Sequence, residues 1–362
     1  MRLTITSARC YKDAMQFSTF LTGVFFSALI MPVPASVWAK EAPSLKDAET
    51  AWVWPVPPDK PRVRYLATLI TPEDLGVKKG FFARLWEFIA GKDAADRIVS
   101  PHGVVSDGKG KVYVADWGAG KIHLFDFDKK RYDNFSKTKA GGLSSVIGVA
   151  LDGDGLLYAT DSVLRRVFVF EKGKNIKVIG DDSLRRPTGI AVNKKEDILY
   201  VVDTHGHRVD VFDLSGKKLF SFGRRGGKDG EFNYPTHIAV GPSGDVYVMD
   251  SMNFRVQIFD KTGKFLAKFG GAGTGMNDFV KPKGISVDGE GHIWVSDGLR
   301  DTIQVFDRRG RLLLIFGKTG VGRGGFRAPA GLFIDSGDRL YVADSYNYRV
   351  QVFQYLSESE TK

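Results

Sequence analysis

The 362-residue sequence predicts an all-β fold, a six-bladed β-propeller whose ring is closed by an N-terminal strand. Three observations predict it. First, an aromatic-Val-x-Asp motif recurs six times, as Tyr113-Val114-Ala115-Asp116, Tyr158-Ala159-Thr160-Asp161, Tyr200-Val201-Val202-Asp203, Tyr247-Val248-Met249-Asp250, Trp294-Val295-Ser296-Asp297 and Tyr341-Val342-Ala343-Asp344, with Asp-to-Asp steps of 45, 42, 47, 47 and 47 residues. A fixed period of this length is the mark of a repeat architecture. Second, each Asp is followed nine residues later by a Phe (Phe125, Phe170, Phe212, Phe259, Phe306, Phe353), and five are preceded by 15 or 16 residues by a Pro (Pro101, Pro187, Pro235, Pro282, Pro329). Third, the last repeat stops near Tyr355, one strand short, and an isolated strand-like run stands before the first repeat at residues 62–69.

Each repeat reads as four strands. In the fourth, Ile238-Ala239-Val240 is a short apolar run suited to a buried inner strand, and Gly241-Pro242-Ser243-Gly244 is a turn. Residues 245–250 and 255–259 alternate polar and apolar, the period of a half-buried strand, and 265–269 is the outer strand. Four antiparallel strands per 40–47 residues make a propeller blade. No repeat holds a run of helical period, which excludes a helical solenoid. The 42 glycines serve as turn residues, and the 26 Phe and 12 Tyr favour strands. Pairing of residues 62–70 with the third strand of the last repeat would complete that blade and leave no open seam.

The remaining segments divide simply. Residues 1–39 read as an export signal: Arg2, Arg9 and Lys12 precede an uncharged apolar run from Phe17 to Met31, and Val37-Trp38-Ala39 offers a small-residue cleavage site. An exported protein in the periplasm or outside the cell is the expectation. Cleavage would remove the single cysteine, Cys10, and lower the net charge from +10 to +8 by taking three basic residues and one acidic one. Residues 40–61 are a Pro-rich, extended lead-in, 71–97 an insertion with an amphipathic helix, 98–356 the propeller and 357–362 a tail. Membrane contact is expected only if the leader stays uncleaved or the 78–92 helix docks.

The strings Pro282-Lys283-Gly284-Ile285, Arg255-Val256-Gln257-Ile258-Phe259-Asp260 and Arg349-Val350-Gln351-Val352-Phe353 resemble the NHL repeat, over residues 98–355. The plan of leader, lead-in and closing strand is similar to secreted bacterial six-bladed NHL proteins. The resemblance implies the propeller fold and a protein-binding, RNA-binding, sensing or enzymatic role without choosing among them.

Candidate chemistry is sparse. The six repeat Asp residues end strands and begin turns, where a carboxylate accepts turn amides; a cation five residues on (Lys121, Arg166, Arg208, Arg255, Arg349) suits an ion pair, with Thr302 breaking the series. Asp152-Gly153-Asp154-Gly155 lacks the later ligands of a calcium loop and reads as a hairpin turn. His102 and His237 stand at the starts of the inner strands of opposite blades and are the metal candidates, facing across the channel. NHL-like amidating lyases hold zinc with three histidines at such places. Here Thr188, Lys283 and Ala330 occupy the corresponding positions, and His205 and His207 are the nearest substitutes. Otherwise no cofactor is expected. There is no serine elbow, Rossmann fingerprint or P-loop.

The face bearing inter-blade loops and second-to-third-strand loops is the expected working surface. Loops 135–146, 180–186, 223–234, 270–281 and 317–328 hold eleven Lys/Arg, among them Arg224, Arg225 and Arg323, against five Asp/Glu. Beside them stand Trp117, His205, His207, Met252, Phe254, Leu299, Arg300, Tyr346 and Tyr348. Aromatics with Arg on loops have the composition of an interface core, or else pad neighbouring blades. The function expected is a binding or scaffold propeller, monomeric, engaging a protein or an anionic glycan. The alternative is a metal-dependent lyase or lactonase at the channel mouth. Nucleic acid is not an expected partner of an exported protein.

Overall fold

The computed structural model describes residues 52–56, 58–76, 96–139, 141–180 and 183–356, all within the unit Leu45–Lys362. The leader, the 78–92 helix and the 357–362 tail lie outside the described residues.

Six antiparallel blade sheets form the ring, five of four strands and one of five. Blade one is Pro101–Ser106, Lys111–Asp116, Lys121–Asp126 and Arg131–Phe135. Blades two to five begin with inner strands Val146–Leu151, Pro187–Asn193, Pro235–Val240 and Pro282–Val287 and end with outer strands Lys174–Ile179, Lys218–Phe222, Phe265–Phe269 and Leu312–Phe316. Blade six has only three strands of its own, Pro329–Ile334, Arg339–Asp344 and Arg349–Tyr355. Its fourth is Val63–Leu69, which pairs antiparallel with the third from Val63↔Tyr355 to Leu69↔Val350. The ring therefore closes as expected. A fifth strand does not follow from the sequence reading: Val53–Trp54, inside the lead-in, adds to the outer edge at Val53↔Arg64 and Trp54↔Val63. Trp54 then packs on Phe316 and Phe353, with ring centroids 6.0 and 5.9 Å away. Of the 71–97 insertion, Pro72–Leu75 forms a short 3₁₀ turn, held by the Asp74 carboxylate accepting from the Ile70 and Thr71 amides.

The core is divided among the blade interfaces. Six apolar clusters each join two neighbouring blades. The repeat phenylalanines Phe125, Phe170, Phe212, Phe259, Phe306 and Phe353 are buried in them, which explains their strict nine-residue offset from Asp. Val63 and Leu69 enter two different clusters, one on each flank of blade six. The closing strand thus fills both interfaces of the last blade.

Inner strands meet almost backbone to backbone around the axis. A Cβ on Gly103 would stand 2.5 Å from the Ile147 carbonyl oxygen, and one on Gly189 would stand 2.6 Å from the Thr236 carbonyl oxygen. Gly148, Gly284 and Gly331 meet the next strand in the same way. Only glycine fits such an approach. The ring is broken once, in blade four, where His237 takes the glycine's place. Below it runs an axial cavity of about 540 Å³, lined by residues such as Val149, Ile190, Ile285 and Leu332 and reaching the turns at Lys194, Pro242 and Ser336.

Candidate functional site

The repeat Asp residues are structural hubs. Each is fully buried. Asp116 accepts from the amides of Val99 and Ser100, at 2.6 and 2.9 Å, and Asp297 from those of Val280 and Lys281. Each carboxylate thereby ties the end of an inter-blade loop to the end of its blade's second strand. Asp250 and Asp344 also bind the guanidinium five residues on, Arg255 and Arg349, both at 2.8 Å. Arg208 leans mainly on Asp210 instead, at 3.0 Å against 3.6 Å to Asp203. In blade five Arg300 reaches Asp297 at 4.0 Å from three residues on. A partner seven residues on was not foreseen: Gln257 donates to Asp250, Gln351 to Asp344, and His123 pairs with Asp116 at 3.1 Å. Burial pushes the Asp344 carboxyl up despite Arg349. For Asp116 burial acts the same way, but His123 and the two amides outweigh it and hold the carboxyl below its usual value. Asp152 accepts from the amides of Asp154 and Leu156, so Asp152–Gly155 is a turn.

These hubs hold up one face. Second strands end there, inter-blade loops arrive there and inner strands begin there. Of eighteen exposed large hydrophobic side chains among the described residues, eleven lie on this face, and none on the turns at the opposite end. Several share one repeat position, two residues after the Asp: Val163, His205, Met252, Leu299 and Tyr346 are all exposed there. Trp117 is 47% exposed, Leu299 65%, Tyr346 66% and Tyr348 50%. Arg224 and Arg225 are exposed too, Arg224 bridging to Glu231.

The other sequence candidates are engaged internally. His207 is buried, and its Nδ1 accepts from the Tyr234 amide at 3.2 Å. Half-buried Phe254 packs on the cluster between blades four and five. Arg300 donates to the Gly273 and Gly275 carbonyls and braces its loop. Arg323 lies over the rings of Trp52 and Tyr65, at 5.5 and 5.3 Å, and clips the lead-in to the ring.

His102 and His237 do meet. Their rings stack across the axis with centroids 5.2 Å apart and planes 8° from parallel. Burial depresses both imidazoles, and the Lys283 charge adds to it, taking His237 down to about 4 and His102 well below its usual value. Both are therefore neutral at pH 7. His205 stands beside Arg186, its Nε2 3.4 Å from that guanidinium. Among the described residues no three His, Cys, Asp or Glu side chains come together in a metal-holding group.

Comparison with known proteins agrees with this architecture. The NHL repeat family pattern matches residues 184–212 and 326–353, and the pattern of a six-bladed beta-propeller family matches 228–297. Blades three and six thus match the NHL repeat. A 61-residue stretch of the chain is 44% identical to the protein brain tumor of Drosophila melanogaster, a match covering 17% of this chain and 6% of that protein. Among solved structures the NHL propeller resembles a virginiamycin B lyase from Staphylococcus aureus, with a TM-score of 0.54, 17% identity, and 73% of this chain and 83% of that one covered. A protein of unknown function from Bacteroides thetaiotaomicron gives 0.58 at 16% identity, covering 73% and 71%. At such identities the likeness is one of fold.

Proposed function

We propose that this NHL propeller is an exported binding module that engages a partner protein through its loop face. One observation carries the reading: exposed apolar and aromatic side chains recur at the same position of successive blades and ring the channel mouth, while the opposite turns expose none. A contiguous apolar patch rimmed by charge marks an interaction site. The basic balance of the surrounding loops favours an acidic partner surface or an anionic glycan. The N-terminal leader supports export.

The test is capture of partners from the exporting cell with the intact chain and with a Trp117→Ala/Leu299→Ala/Tyr348→Ala variant. Interface aromatics of this kind are worth about 2 kcal/mol each, or ~30-fold in affinity. The expected result is loss of the captured protein at unchanged melting temperature. An unchanged capture profile would sink the reading, and retention on an anionic glycan resin alone would replace the protein partner by a glycan. A lyase using a metal at His102 and His237 would need a third ligand, and stoichiometric metal in the purified protein would support it.

A further inference from the structure

Both ring nitrogens of His237 and Nδ1 of His102 are buried and make no hydrogen bond. His237 is itself about nine-tenths buried. The Lys283 and Ile147 carbonyls lie close enough to oppose the depression of the imidazoles, but not in hydrogen-bonding geometry. An orphaned buried polar group costs about 1–3 kcal/mol, and native proteins keep few of them. Three on one stacked pair call for an occupant.

The surroundings select its charge. Lys283 fills the residue after Pro282 in blade five, the place His102 fills in blade one, and its charge acts on both imidazoles. Arg186, just before the blade-three inner strand, acts on His102. Lys283 has no ion pair among the described residues. Asp301 is the carboxylate that acts on it, but Asp301 is occupied by the Ala328 amide and the Thr319 hydroxyl, and Lys281 adds a further positive charge. Among the described residues the Arg186 side chain makes only the long contact to His205. A cation would be repelled by Lys283 and Arg186. An anion would gain charge-assisted hydrogen bonds from them, and an N–H from each neutral imidazole.

We infer that the channel mouth is a seat for a small oxyanion, a phosphate or carboxylate group, held by His102, His237, Lys283 and Arg186. The site owes its existence to the single break in the glycine ring. In the other five blades glycine stands at this position, and His237 instead brings a ring against that of His102. The occupant accepts one N–H from each imidazole and offsets the local excess of positive charge. Nothing in this depends on the apolar ring outside the mouth.

The chain has six histidines, so their ring C–H resonances are a tractable readout. The full-length protein is titrated with inorganic phosphate and, separately, acetate, at ionic strength held constant with sodium chloride. The expected result is a saturable shift of the His102 and His237 resonances with those of His123 and His292 unmoved, and a His237 pKa raised by at least one unit. Lys283→Thr, which installs the residue of Thr188 and Thr236, should weaken phosphate at least tenfold. His237→Gly, which installs the residue of the other five blades, should abolish the His102 shift. Both variants use side chains the ring already tolerates there. Non-saturating shifts, equal shifts at His123 and His292, or undiminished binding in Lys283→Thr would each overturn the proposal. So would a saturable response of the pair to zinc chloride with none to phosphate or acetate. Loss of partner capture in the loop-face variant with an intact phosphate response would separate this site from the proposed function.

Discussion

Leu69→Ala tests the ring closure most directly. Leu69 is fully buried between blades six and one, against Val104, Val112, Phe125 and Val350, and lies on a strand joined to its blade by sequence-distant pairing alone. Truncating a buried Leu costs about 2–5 kcal/mol, with the larger values where walls cannot collapse into the cavity. Here the walls are strands of two different sheets, so the upper half of that range is expected. With a urea m-value of ~3 kcal/mol/M, a loss of ~3.5–5 kcal/mol moves the unfolding midpoint down by about 1.2–1.7 M. The control is Leu266→Ala on the outer strand of blade four, a half-exposed site where less than ~1 kcal/mol should be lost. Equilibrium urea unfolding followed by tryptophan fluorescence reads both. Val63→Ala, at the other end of the strand and in the other interface, should add to Leu69→Ala nearly independently. A Leu69→Ala shift no larger than that of Leu266→Ala, or a chain lacking residues 62–70 that melts like the parent, would refute the closure argument.

Gly103→Ala would press a methyl onto the Ile147 carbonyl oxygen and should lower the melting temperature by several degrees, measurable by calorimetry. Arg349→Ala leaves buried Asp344 without its cation and should cost about 3–5 kcal/mol; Arg255→Ala should behave alike in blade four, and both are read by urea midpoint. His237 gives a pH signature. Its folded pKa of about 4 lies below the unfolded value near 6.5, so between them the unfolded chain binds the extra proton. Stability from this group is complete above pH ~6.5 and is lost as pH falls towards 4, by about 3 kcal/mol. His237→Gly should flatten that slope, and unfolding midpoints at pH 7 and pH 4.5 in buffers free of phosphate and carboxylate would show it.

The fold was legible because a repeat states its rule six times. Tyr113-x-x-Asp116 alone means little, but six copies with Phe at a fixed offset identify both the buried hub and the inter-blade core. The closing strand could be placed because blade six visibly lacked its outer strand. Val53–Trp54 could not: two residues in a Pro-rich lead-in carry no period, and the strand exists because Trp54 finds Phe316 and Phe353. Side-chain partners were read less well than strands. The cation five residues after Asp suggested an ion pair in every blade, yet Arg208 leans on Asp210 through a neighbour on its own strand face, and the Gln or His seven residues on escaped notice. Likewise an Arg on a loop looks the same in sequence whether it stays exposed, like Arg225, or braces its own loop, like Arg300.

In a ring of near-identical blades, whatever all six share serves the ring, since any one copy is needed for its own interface. A specific ligand requires an asymmetric site, and asymmetry can enter only where a blade departs from the rule. The departures converge. His237 replaces a glycine, while His102 and Lys283 fill a position that is Ile147, Thr188, Thr236 or Ala330 in the other blades. All three sit at one end of the axis, inside the ring of exposed apolar side chains. Random divergence would scatter such changes over outer strands and turns, where they cost little. Gathering them on the axis leaves three buried nitrogens unpartnered at a cost of about 1–3 kcal/mol each, and a fold keeps that cost where something bound recovers it.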